Sequence, residues 1–110
     1  MSKKHQIGRT TQMLRQALSC GVNADSSEKI LIVGADWRHM GVMADTLTEI
    51  AAVQAVPLIR NRRHEFLIES TGAVLRFVTW SEYRNGQVVR GAHYTNVFID
   101  HYCWEVQHNG

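Results

Sequence analysis

The sequence predicts an α/β domain, a layered sheet with flanking helices, in one unit spanning residues 1–110. Three observations predict it. Ile30-Leu31-Ile32-Val33 is an apolar, β-branched run of the kind that fills a strand covered on both faces. Met40, Met43, Leu47 and Ile50 then recur at helical spacing. Further on, Val97-Phe98-Ile99 runs straight into Asp100, as a short buried strand ending in an acid.

The 110 residues suffice for one compact core. A hydrophobic content of 45% with a single proline sets the chain apart from disordered sequences. Its net charge of +2 excludes a protein whose overall charge alone announces nucleic acid, and leaves local patches open. No apolar run approaches the length of a membrane span, and no signal-peptide core follows the basic start Met1-Ser2-Lys3-Lys4. Cys20 and Cys103 read most simply as two reduced thiols of a cytoplasmic protein.

In chain order, Met13, Leu14, Ala17 and Leu18 mark a first helix, with Gly21 where a C-terminal cap belongs. Gly8-Arg9-Thr10-Thr11 opens it, and Thr10 or Thr11 can cap its start. Such a start is an anion site in kind, because free N–H groups and the helix dipole face the same way. The same residues also make a plain capped helix. After the strand at Ile30–Val33, Gly34 to Arg38 reads as a turn. The second helix ends near Val53, ahead of Pro57. Its methionines read as core filling.

Arg60-Asn61-Arg62-Arg63-His64 is the densest basic cluster and reads as a solvated loop. Arg60, Arg62 and Arg63 are also the candidates for phosphate contact with nucleic acid. Phe66–Glu69 and Val74–Trp80 flank Thr71-Gly72 as a β-hairpin. Ser81 to Gln87 reads as a polar turn region around Asn85-Gly86, and the tail from Gln107 as frayed.

An acid at the carboxyl end of a sheet strand stands where open α/β sheets hold their ligands. Together, the order of these pieces resembles the ATPase core of phage large terminase subunits, and more distantly superfamily-two helicases. Gly8-Arg9-Thr10-Thr11 looks like the end of a P-loop, with Arg9 in the lysine position. The Thr71-Gly72 hairpin looks like the terminase strand pair. Arg90-Gly91 ahead of Val97-Phe98-Ile99-Asp100 looks like the arginine-glycine pair before the acidic strand. The likeness covers roughly residues 7 to 104.

The resemblance implies a P-loop NTPase-like fold lacking its usual first strand, of phage or prophage origin. It implies ATP and Mg2+ as cofactors. The phosphates would lie at Gly8, Arg9, Thr10 and Thr11, and the metal at Thr10 and Asp100. Arg90 would brace the acidic strand. Three departures bear on catalysis. Lys3 stands where the P-loop's first glycine belongs, Arg9 replaces lysine, and His101 follows Asp100 where the family carries a glutamate. The expectation is therefore nucleotide binding with weak or no hydrolysis. The alternative is a non-catalytic protein- or nucleic-acid-interaction module on the same scaffold. A sheet position left open by the absent strand would suit a partner strand or a second copy of the chain.

Other constellations are weaker. Gly34-Ala35-Asp36-Trp37-Arg38-His39 lacks Rossmann glycine spacing. His93, His101, Cys103 and His108 lack the paired spacings of a zinc site. No glycine-flanked serine marks a nucleophile elbow. Trp37, Trp80 and Trp104 read as core or rim packing.

Overall fold

The computed structural model describes residues 2–24, 28–62, 64–86 and 94–104, with residues 2–7 by backbone alone. Arg63, Arg90-Gly91, His93, Glu105 and the tail with His108 lie outside the described residues. A mixed five-stranded sheet carries helices on both faces, as the α/β reading expects.

Helix α1 (Ser2–Val22) leads into strand β1 (Lys29–Gly34) and helix α2 (Trp37–Val53). Strands β2 (Leu58–Arg62), β3 (Glu65–Ile68) and β4 (Val74–Thr79) follow, then helix α3 (Trp80–Arg84) and strand β5 (Asn96–Ile99). A helical turn, 101–104, follows Asp100. The strand order is β2-β3-β4-β1-β5. β1 pairs parallel with β4 and with β5, while β2, β3 and β4 pair antiparallel in succession.

The period-two alternation of β1 sorts its side chains. Ile30 and Ile32 enter one core with Leu14, Leu18, Met43, Leu47 and Phe77, beneath α1 and α2. Leu31 and Val33 face the other way, against Val78, Cys103 and the rings of Trp80 and Tyr83. Both β1 faces are covered, so the strand reads as a continuous apolar run.

The helix of the Met40–Ile50 stripe is capped by Asp36, whose carboxylate accepts the His39 N–H at 2.8 Å. The hairpin turns where the sequence puts it. Gly72 has φ of +79°, a conformation that suits glycine, and Ile68 and Ala73 close the turn.

Four local expectations are corrected. α1 begins at Ser2, so Gly8, Arg9, Thr10 and Thr11 lie beyond its first turn. Their N–H groups belong to the helix ladder, and the free N–H groups of a helix start are not theirs. Gly21 is no C-terminal cap. It lies inside α1, buried against the sheet, where an added Cβ would collide with Ile68 Cδ1. The basic run Arg60–Arg62 is not a loop but part of the outer strand β2. Its exposed charged side chains suit a sheet edge. The run ending at Ile99 is also an outer strand rather than a buried one, with Val97 43% exposed.

The helix α3 appears in place of the expected turn region. Thr79 and Glu82 form a reciprocal capping box, the Thr79 N–H donating to Glu82 Oε1 at 3.0 Å. Among the described residues, no helix is long and apolar enough to cross a membrane.

Candidate functional site

β1 continues into α2 on one face of the sheet. Its parallel neighbours β4 and β5 continue into α3 and the 101–104 turn on the other face. Adjacent parallel strands whose continuations part in this way open a crevice at their carboxyl ends, the usual ligand position of such sheets. Asp100 sits there. Its N–H donates to Val33 O at 3.0 Å, which ties it to the end of β1.

Thr10 comes to the same point from the other end of the chain. It extends the buried stripe Leu14, Ala17, Leu18 one turn back along α1, so it faces the sheet. Its hydroxyl donates to Asp100 Oδ1 at 2.7 Å, a buried bond across 90 positions of sequence. Thr10 is 8% exposed and Asp100 1%. The two residues assigned to the metal are therefore brought together. Thr11 stands beside them, while Gly8 and Arg9 are exposed on the helix.

Asp100 has further partners. The Tyr102 N–H donates to Oδ2 at 3.1 Å. His39 Nε2 lies 3.5 Å from Oδ2 and His101 Nδ1 lies 3.7 Å from Oδ1. His39 Nδ1 accepts the Ala35 N–H at 3.1 Å, which leaves its ring proton on Nε2, facing Asp100. Burial pulls the His39 pKa below 6.5 and outweighs the attraction of Asp100 and Asp36. A neutral His39 thus presents an N–H to the carboxylate. His101 stacks on Tyr102 at 4.6 Å between ring centroids, and its Nε2 is buried without a hydrogen-bond partner among the described residues.

A cavity of about 390 Å³ opens beside this cluster, lined by Thr10, Thr11, Asp36, Arg38, His39 and Tyr102 among others. His101 is not among its lining residues. Arg38 is the cation at its wall.

The hydroxyl and carboxylate oxygens of Thr10 and Asp100 are hard donors of the kind magnesium takes. A hydroxyl that donates its proton to a carboxylate keeps its lone pairs for a cation. Magnesium is commonly held by one or two protein oxygens, with water and phosphate completing the shell. The phosphate cradle expected from the backbone of Gly8 to Thr11 does not fit, because those amides are inside the helix. Among the described residues, no group of three His, Cys, Asp or Glu side chains stands ready for a metal such as zinc.

His39 and Tyr102 went unread in the sequence. Asp36 ahead of an apolar-periodic run is the signal that starts α2 and so places His39 one turn in. Nothing local points to Tyr102.

Cys103 is buried below the site, its thiol 3.6 Å from Val33 O. Burial, with a smaller push from Asp100, raises its pKa to about 12. A thiol whose folded pKa lies above its ordinary 9.0 stabilises the fold fully below pH 9.0, and that stability is lost as pH rises toward 12. At pH 8, a disulfide reagent such as Ellman's will label the half-buried Cys20 in native protein, and Cys103 only after unfolding. Labelling of both at equal rates in the native state would contradict that burial.

Comparison with known family models, curated proteins and solved structures finds no match to this chain.

Proposed function

We propose that this domain binds a magnesium-complexed nucleoside triphosphate, ATP by the terminase-like resemblance, at the carboxyl edge of β1 and β5, with weak or no hydrolysis. The observation that carries the reading is the 2.7 Å bond between Thr10 and Asp100 in the crevice of the sheet. The P-loop resemblance pairs these same two positions around a metal. Thr10 Oγ1 would reach the magnesium directly, and the Asp100 carboxylate behind it would hold the metal through water. Thr11 and Arg38 line the adjoining cavity, and their hydroxyl and guanidinium would receive phosphate there. Bound magnesium would neutralise phosphate charge, and the chain's own groups orient it.

Weak hydrolysis follows from the position after Asp100. His101 turns toward Asp100 and Tyr102 rather than into the cavity. The residue directly after Asp100 is His101 and not a carboxylate, and the next acid in sequence, Glu105, stands five positions on. The neutral His39 donates toward Asp100, so its Nε2 does not accept a proton from water there.

A second reading has an observation of its own. Asp100 is 1% exposed, so the bond to Thr10 also suits a brace that pins α1 to the sheet in a non-catalytic interaction module. Thr10→Val and Thr10→Ser separate the two. The nucleotide reading expects magnesium-dependent ATP binding to survive in Thr10→Ser and to be lost in Thr10→Val, by titration calorimetry. Both readings expect Thr10→Val to cost about 1–3 kcal/mol of stability, since it leaves a buried carboxylate oxygen short of a partner. Unchanged ATP binding in a destabilised Thr10→Val leaves the brace alone standing.

A further inference from the structure

On the other side of the α2 start, Trp37 is 57% exposed, a large aromatic left at the surface. Its indole lies 5.0 Å from the His64 ring at a 42° tilt. Three shallow depressions adjoin one another here. The first, about 400 Å³, is shared by Trp37, Arg60 and His64. The second, about 180 Å³, runs from Trp37 and His64 to Arg62 and Arg76. The third, about 280 Å³, continues from Arg62 and Arg76 to Lys29 and Tyr94. Shared residues make these one band that wraps the β2–β3 edge and runs on past β4 to the start of β1.

Lys29, Arg60, Arg62 and Arg76 stand along the band against two carboxylates, Glu65 and Glu82. In the strand register Glu65 stands opposite both Arg62 and Arg76, so one carboxylate faces two cations. The surplus is positive. Such a track, punctuated by aromatic rings, matches the chemistry of a polyanion whose bases are free to stack. A string of small depressions suits a polymer rather than one compact ligand. A duplex hides its base faces, so an exposed indole recommends a single strand.

We propose that this band binds single-stranded nucleic acid without sequence preference. A base stacks on Trp37, and phosphates run past Arg60, Arg62 and Arg76. This surface is separate from the Thr10–Asp100 crevice and stands whether or not ATP binds there.

The test is fluorescence anisotropy with a fluorescein-labelled oligo(dT) strand on the full chain, at several salt concentrations. Three phosphate contacts predict that log K falls against log salt with a slope of about −2. Arg62→Gln should flatten that slope by about 0.7. Trp37→Ala should weaken binding roughly 10-fold, and Trp37→Phe should restore most of it, as stacking requires. Circular dichroism of each variant checks that the fold is intact. Absent binding by the wild type at low salt would overturn the proposal. So would binding that neither Trp37→Ala nor Arg62→Gln alters, or equally tight binding of a duplex.

Discussion

Under the proposed nucleotide reading, Asp100→Asn is expected to lower the affinity for magnesium-bound ATP by about 10- to 100-fold, the usual effect of removing a group that stands behind a metal ligand. The substitution preserves shape and keeps one of the two acceptor oxygens. It removes the negative charge that a bound magnesium would require. Asp100 accepts the Thr10 hydroxyl at Oδ1, 2.7 Å, and the Tyr102 N–H at Oδ2, 3.1 Å. The asparagine oxygen can take the Oδ2 place, and its amide N–H at the Oδ1 place can donate to the Thr10 hydroxyl, so both contacts are kept with the Thr10 bond reversed. The fold should therefore persist, with thermal unfolding close to that of the wild type. Binding of ATP without magnesium should change little. Calorimetric titrations with and without the metal measure both effects. If Asp100→Asn binds magnesium-ATP as the wild type does, the crevice is not the metal site.

Phe77→Ala produces the largest loss of stability, about 3–5 kcal/mol. Phe77 is 2% exposed in β4 and meets the Phe66 ring edge-on, at 6.0 Å and 80°. It fills the space between the sheet and the α1–α2 layer. Its backbone N–H, which donates to His64 O at 2.8 Å, is retained in the variant, so the loss is one of packing. Against a typical total of about 5–15 kcal/mol, this leaves a marginal protein. Urea unfolding followed by circular dichroism should show a lower midpoint with an unchanged slope. A change below about 1 kcal/mol would mean that the site collapses without leaving a cavity, contrary to the close packing described.

What could be read from the residues follows from how local each signal is. β1 is an unbroken apolar run, α2 has a clear helical period and the hairpin has a glycine at the turn, so all three stand where expected. β2 was unreadable because Arg60 and Arg62 carry no apolar alternation. Its strand state is set by pairing with β3, Ile59 opposite Leu67. The first turns of α1 lack an apolar stripe, and Gly8 imitates a helix boundary. α3 had a visible capping box in Thr79 and Glu82, but only five residues follow the cap.

The candidate site divides in the same way. Thr10 and Asp100 are paired in the sequence only through the terminase-like resemblance; locally the one reads as a helix cap and the other as the end of an apolar run. The anion role of Gly8 and Arg9 depended on a helix start that lies six residues earlier. The placing of His39 over Asp100 depends on β1 and β5 lying side by side, which no local pattern announces.

The proposed magnesium-nucleotide site is tested most directly by titration calorimetry of wild-type protein with ATP, with and without magnesium. Saturable binding of ATP that requires magnesium is the predicted result. No heat of binding at millimolar ATP in the presence of magnesium would contradict the claim.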